Sequence, residues 1–398
     1  MKTQRGGLPA HIIISILVAG AFGVMGGGLV APAIPTIGRA FDVPEGLQGL
    51  VLSVYTLSAA ISLPFIGYLL DIVGRRRVLI ICLLIDGLTG VFIALAPSFG
   101  IILIMRFIQG IGIAGLIPSA MTIIGDLFSG EQRLKVMGYL TGVISLGAAI
   151  IPTVGGALAS IDWRLVFLVY GFCLLLALFF FLALPETAPV HNPSKTSTTV
   201  PKNKAWDYVV SLFAVLKDRA IRNIMLQSLV HYFFLYAIVT FIPIFLVSIH
   251  AFSEIYGGIA LSIQGVASAC MASRAKLVAK YLAWWRRVSL GFGLKSIAFL
   301  LLPLWPQGSY LISVSIVLYG VGFGIVSPTI YNRATELPPE DLIGSVVAIF
   351  NTMKYVGMTL SPFILGLVIN FTGLVSVFYV VAALCVVWSM FSLTQSEA

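Results

Sequence analysis

Charge is what this chain of 398 residues has least of: 10% of it is Asp, Glu, Lys or Arg, and only 15 residues are acidic. A soluble protein carries about a quarter charged residues, so a water-exposed globular fold is excluded. Cysteine is scarce as well. Cys82, Cys173, Cys270 and Cys385 fall in four separate apolar stretches, with no C-x-x-C pair. That spacing excludes a disulfide framework and a zinc site and leaves small packing residues. No G-x-x-x-x-G-K-[ST] phosphate loop, no G-x-S-x-G elbow and no H-E-x-x-H pair occurs. ATP is therefore not the expected energy source, and an enzyme is not the expected class. Neither a cofactor nor a metal is expected.

What the chain has instead is long apolar runs, with 59% hydrophobic residues and a mean hydropathy of +1.05. A helix needs roughly 20 such residues to cross a bilayer. Twelve spans qualify: 11–37, 47–70, 78–96, 101–125, 134–159, 163–184, 222–249, 256–274, 288–304, 309–332, 342–369 and 373–394. They are too long and unbroken for barrel strands, which alternate over about ten residues. With no water in the bilayer core the backbone must bond within each segment, so the spans are helices. The first follows Lys2 and Arg5 but is too long for a signal peptide.

The net charge of +9 is sorted by side rather than clustered for nucleic acid. Nineteen of the 24 Lys and Arg fall on the side that holds both termini; only Arg39 and Arg164 fall in loops of the other side. The positive-inside rule then puts both termini in the cytoplasm.

One segment breaks the apolar pattern. Between Glu186 and Arg222 lie Pro189, Pro193, Pro201 and a Ser/Thr-rich run at 194–199. It reads as a cytoplasmic linker, dividing the chain into a six-helix bundle at 1–187, a linker at 188–221 and a second bundle at 222–398. Within it, 206–217 reads either as an amphipathic helix on the membrane surface or as the helical start of span 7. The halves repeat: shifted by 210 positions, 110–156 lies on 320–366, pairing Gly110 with Gly320, Gly112 with Gly322, Pro118 with Pro328, Gly147 with Gly357, Pro152 with Pro362 and Gly156 with Gly366. Parallel repeats of this kind can rock about a site near the midplane.

The short link between spans 2 and 3 is patterned: Gly67, Asp71, Gly74 and then Arg75, Arg76 and Arg77. This layout resembles the signature loop of the major facilitator superfamily, and the resemblance extends over nearly the whole chain. It implies two pseudo-symmetric six-helix bundles, with spans 1, 4, 7 and 10 lining a central cavity and 3, 6, 9 and 12 outside. Physically, a carboxylate at Asp71 suits the start of span 11, where a helix N-terminus carries partial positive charge. Gly67 permits close approach there, and Arg75 can pair with Asp126 at the end of span 4. In proteins this loop resembles, such contacts lock the cytoplasmic side. The corresponding stretch 273–280 has no Asp, so the lock is expected in one half only.

Arg106, about six residues into span 4 and followed by Gln109 and Gly110, resembles the family's proton-coupling motif. An ion at membrane depth is a functional candidate by default, against the alternative that it snorkels to the outer interface. Gly147, Pro152, Gly155 and Gly156 in span 5 resemble the family's antiporter motif, where Pro and Gly make a kink and a smooth face. Ile151 stands where that motif has Gly. Gln109, His231, Tyr236, Asn351 and Lys354 are candidates for the substrate cavity, and Phe233, Phe234 and Phe241 lie near His231 in sequence. His231 titrates near neutral pH. Asp86 and Lys295, in spans expected outside, read as structural. With Asp86 the only acid inside the spans, the core favours neutral, zwitterionic or anionic substrates.

The expected function is proton-driven export of a small amphipathic organic compound by a single copy of the chain in a bacterial cell membrane. A proton-coupled uptake permease for a sugar or organic acid is the alternative. A receptor or an intramembrane enzyme fits less well, because of the repeat and the missing catalytic motifs.

Overall fold

The computed structural model describes residues 10–184, 214–339 and 342–395, and these contain helices and no strand. Eleven helices are long and apolar enough to cross a membrane, and a bent pair makes a twelfth. In chain order they are α1 (Ile12–Phe22 with Met25–Ala40), α2 (Leu50–Ile72), α3 (Arg75–Ala94), α4 (Phe99–Leu127), α5 (Gly130–Ile161) and α6 (Trp163–Ala183). The second set is α7 (Arg219–Ser248), α8 (Glu254–Ala272), α9 (Trp284–Leu304), α10 (Ile312–Glu336), α11 (Ile343–Thr372) and α12 (Leu374–Leu393).

Two spans differ from the unbroken runs expected from sequence. The first bends by 48° between its parts. The run Gly26-Gly27-Gly28 with Pro32 and Pro35 weakens its backbone ladder there, and Gly26 lies so close to the Tyr55 ring that a Cβ would strike it. In α6 a 3-10 turn at Val169–Gly171 interrupts the helix. Most of the linker, 188–213, lies outside the described residues, and so does most of the 206–217 segment; its last residues, Ala214–Lys217, form a 3-10 turn.

Local chemistry sets the ends. Ser98, Asp162 and Asp218 each accept a hydrogen bond from a backbone N–H in the first turn of α4, α6 and α7, the N-cap arrangement that satisfies otherwise orphaned donors. Gly74, with φ of 102°, turns the chain between α2 and α3. That conformation costs a residue with a Cβ.

The repeat seen in sequence is a repeat in space. Gly110 packs against the backbone of α2 at Tyr55, and Gly320 against α8 at Gln264. Gly112 packs against α3 at Cys82, and Gly322 against α9 at Gly291. Each pair of glycines therefore serves the same two neighbours in its own bundle, letting backbones approach where any side chain would hold them apart.

Call the end carrying Arg75, Arg76, Arg77, Arg133, Arg274 and Arg333 the Arg-rich end. At the opposite end the bundles are zipped along two seams. On one, Gly46 lies against Gly366, Gly49 against Pro362, and Ser53 Oγ donates to the Thr359 carbonyl at 3.0 Å. On the other, Gly156 lies against Glu254 and Ile255, Gly258 against Pro152, and Thr153 Oγ1 donates to Ser262 Oγ at 2.8 Å. Further along α5 toward the Arg-rich end, a Cβ on Gly142 or Gly138 would meet nothing, and most residues from Glu131 to Gly142 are exposed. The bundles are joined at the end opposite the Arg-rich one, and α5 is left uncovered toward the Arg-rich end.

Candidate functional site: two buried polar clusters and a seam

Arg106 does not reach for the interface. It is fully buried (0% exposed) beneath the break in α1. Its Nη2 donates to the Gly26 carbonyl at 2.8 Å, its Nε to the Val51 carbonyl at 3.1 Å and its Nη1 to Gln109 Oε1 at 2.8 Å. The guanidinium lies 4.0 Å from the Tyr55 ring centroid, a favourable cation–π distance. Gln109 in turn donates to the Asp86 carbonyl at 3.4 Å. One side chain thereby ties α1, α2 and, through Gln109, α3 to α4. The broken part of α1 leaves a carbonyl free to accept, and the Gly26 carbonyl is taken by Arg106.

Asp86 lies in the same layer but faces outward, toward α6. Its Oδ2 accepts from Cys173 Sγ at 3.5 Å, and its Oδ1 has no hydrogen-bond partner.

The second bundle places a different pair in the corresponding layer. Lys295 of α9 is fully buried, and its Nζ lies 2.8 Å from Nδ1 of His231 on α7. Phe323 stacks on the His231 ring at 4.3 Å, and Phe292 and Tyr319 also lie near the Lys295 ammonium. Reading α9 as an outer helix predicted that Lys295 is buried against a neighbouring helix, and its four methylenes carry the nitrogen to His231 on α7. The numbering carried one signal, since Asp86 and Lys295 stand in nearly matching positions of the two halves.

The remaining cavity candidates are spread along the inner helices. Lys354, half-buried on α11, lies 4.9 Å from the Tyr232 ring and 5.7 Å from Tyr355. Asn351 turns back to its own helix, donating to the Val347 carbonyl at 2.9 Å. Tyr236 is buried with its hydroxyl against Gly27, bridging α7 and α1. Gln109 serves Arg106. The structure thus groups Gln109 with Arg106, and His231 with Lys295, and leaves Lys354 with two tyrosines.

Gly147 faces Val24 near the break in α1. Gly155 packs on the Leu29 backbone, and Pro152 and Gly156 form part of the seam with α8. In the loop after α2, Arg75 Nε lies 3.1 Å from Asp126 Oδ2, and Arg75 Nη1 donates to the Leu70 carbonyl at 3.0 Å. Gly67 lies on α2, half-buried, and Gly74 provides the turn. The side chains of Asp71 on α2 and of Ile343 at the start of α11 lie outside the described residues, so the contact expected there does as well.

Sequence reasoning passed over the seam's polar clasp. Glu254, at the start of α8, accepts from Thr36 Oγ1 at 3.0 Å and forms an ion pair with Arg39. Glu254 sits at the head of a span and reads as a helix-start acid, so nothing in its own neighbourhood signals a partner 215 positions away.

The sequence profile of the Major Facilitator Superfamily matches residues 16–362. The chain belongs to that superfamily. A bacillibactin exporter of Bacillus subtilis is 26% identical over 379 residues, which cover 92% of this chain and 91% of that protein. The quinolone resistance protein NorA of Staphylococcus aureus is 27% identical over 175 residues, 44% of each chain. Among solved structures, a bacterial homologue of the lysosomal transporter Spinster, inward-facing and unoccupied, superposes with a TM-score of 0.77 at 18% identity, covering 98% of this chain and 96% of that one. The nucleoside transporter NupG gives a TM-score of 0.80 at 14% identity, over 97% of this chain and all of that one. At such identities the structural likeness establishes the fold, two six-helix bundles crossing a membrane many times. The protein is a multi-pass membrane transporter of small molecules rather than an enzyme.

Proposed function

We propose that this superfamily member exports a small amphipathic organic compound in exchange for protons, by alternating access, as a monomer in a bacterial cell membrane. The observation that carries this reading is the asymmetry of the two ends. With the Arg-rich end in the cytoplasm, the seams hold the outer side closed and leave the inner side to open, which is the form an exporter needs to load. Two bodies, 1–187 and 222–398 joined by 188–221, then rock about the space between them. The names of the relatives, an exporter and a drug-resistance protein, favour export.

Lys354 beside Tyr232 and Tyr355 suits a compound with an aromatic part and a neutral, zwitterionic or anionic polar part. Among the described residues Lys354 forms no ion pair, an ammonium so placed attracts negative charge, and tyrosine rings stack on organic groups. Arg106 fits the coupling role through position. Its donors go to the Gly26 and Val51 carbonyls and to Gln109, so its contribution is to hold the break of α1 against α2 and α4.

A second reading, proton-coupled uptake, is favoured by Ile151 in place of glycine in the α5 motif. Proteoliposomes with an imposed pH gradient separate the two, with a fluorescent quinolone as probe and an internal pH dye as readout. Counter-movement of probe and protons without ATP is expected, and Arg106→Ala is expected to abolish it. Movement of probe and protons in the same direction establishes the uptake reading. Movement that ignores a collapsed proton gradient overturns proton coupling.

A further inference from the structure

A proton-driven transporter needs a group that gains and loses a proton, and Arg106 is committed to the α1 break through its bonds to Gly26, Val51 and Gln109. Among the described residues, the carboxyl, imidazole and amine groups of the spans that are 0% exposed are Asp86 in the first bundle and His231 and Lys295 in the second. Asp86 points to α6, away from the space between the bundles. His231 is on α7, a helix that meets the other bundle a turn or more further on, at Tyr236 against Gly27 and Thr240 against Gly49.

The contact between His231 and Lys295 restricts its own charge. Two nitrogens 2.8 Å apart must share a hydrogen. In the loaded form the Lys295 ammonium donates to Nδ1, and His231 is neutral with its proton on Nε2. If both were protonated, two donors carrying two positive charges would face each other in an apolar layer, at large cost. If one proton leaves, a neutral amine and a neutral imidazole keep one hydrogen bond between them. The pair thus alternates between charge +1 and charge 0 by exchange of a single proton, with no other bond made or broken.

The surroundings supply no counter-charge that would fix the proton. From α10 come Tyr319, whose hydroxyl has no hydrogen-bond partner, and Phe323; from α12 comes Cys385; from α7 itself comes Tyr232; from α11 comes the positive Lys354. The acid of α10, Glu336, is at its last residue, roughly five turns from Tyr319. Among the described residues no carboxylate forms an ion pair with Lys295. His231 Nε2, fully buried, also lacks a partner, leaving one open hydrogen-bonding position on the ring.

We infer that His231 and Lys295 form the one-proton site of the second bundle. The inference rests on the proton-driven reading above for its purpose but not for its test. The loaded pair adds a positive charge close to Lys354, so proton occupancy changes the field that a bound anion experiences.

The test is nitrogen-15 NMR of the full chain in lipid nanodiscs with labelled histidine, followed across pH without any substrate. The chain has four histidines, and His231→Gln assigns the signal. His250, beyond the end of α7, is distinguishable because burial beside Phe245 lowers its pKa. The expected result is a reversible one-proton step in the His231 Nδ1 signal, which senses the proton gained and lost by Lys295. In Lys295→Met the Nδ1 signal should lose that step, because the proton exchanged is the one on Lys295. Asp86→Asn should leave it in place. Should Lys295→Met fail to fold, Lys295→Gln serves. A ring whose Nδ1 signal does not change with pH, or a step indifferent to both Lys295 variants, overturns the inference. A flat response beside pH-driven transport removes the pair and leaves the antiport reading standing. A His231 step beside gradient-independent transport does the reverse.

Discussion

The two bundles answer the same problem, a basic side chain buried in a membrane protein, in opposite ways. In the first, Arg106 has its donors taken by two backbone carbonyls and Gln109. In the second, Lys295 has one partner, itself a base. Arginine offers five donors in a fixed fork and does not titrate, whereas lysine is a single point whose pKa responds to burial. The first arrangement is a fixed staple across a helix break. The second is a site whose charge is free to change. Pseudo-symmetry supplied two equivalent layers, and the side chains made one rigid and left one adjustable.

The largest expected effect breaks the staple. Arg106→Ala leaves the Gly26 and Val51 carbonyls and Gln109 Oε1 without their donor. Unsatisfied buried polar groups cost about 1–3 kcal/mol each, so a loss on the order of 3 kcal/mol is expected, read as a large drop in the thermal midpoint in nanodiscs. Arg106→Lys keeps the charge but fills only part of the fork and should recover part of that loss. A midpoint unchanged in Arg106→Ala would mean that the bonds to α1 and α2 contribute nothing, and the contrast between the bundles would collapse.

A smaller effect is expected in the second bundle. Lys295→Met removes a buried charge that has no acid to leave behind, and orphans one imidazole nitrogen. Exchanging a buried ion for an apolar side chain of similar length is often neutral or stabilising, which offsets the lost hydrogen bond of about 1 kcal/mol. The thermal midpoint should stay near that of the wild type, while proton-driven flux fails. If Lys295→Met melts as low as Arg106→Ala, both clusters are structural.

Much of this was legible in the sequence because membrane helices advertise themselves. Apolar length found the spans, and Gly and Pro positions found the repeat, since backbone contact admits nothing larger than glycine. Gly110 and Gly320 came to light for that reason, and so did Pro152 with Gly156 on the seam. What sequence could not supply was reach and direction. Nothing in the run around Lys295 says that its side chain ends on His231, 64 positions away, or that Arg106 meets a carbonyl released by a break in α1. The break itself was hidden because glycine in an apolar run reads equally well as packing. Glu254 and Arg39 were missed for a related reason: an acid at a helix start and a basic residue in a loop each have a sufficient local explanation.

The smallest effect concerns the loop that the sequence made most conspicuous. Arg75 and Asp126 are both in the first bundle, so their pairing braces α3 against α4 and does not itself join the two halves. Their side chains are 10% and 26% exposed, and partly solvated pairs of this kind contribute up to about 1 kcal/mol. Arg75 also donates to the Leu70 carbonyl in the last turn of α2; a bond of that kind is worth about 1 kcal/mol and, being short-range, depends less on salt. Asp126→Ala should therefore lower the thermal midpoint less than Arg75→Ala does. Added salt should narrow the gap between wild type and Asp126→Ala, because screening acts on the ion pair. The gap between Asp126→Ala and Arg75→Ala should persist, because it reports the helix-end bond. If the two variants melt together at every salt concentration, the bond to Leu70 contributes nothing, and the loop acts on the first bundle through the ion pair alone.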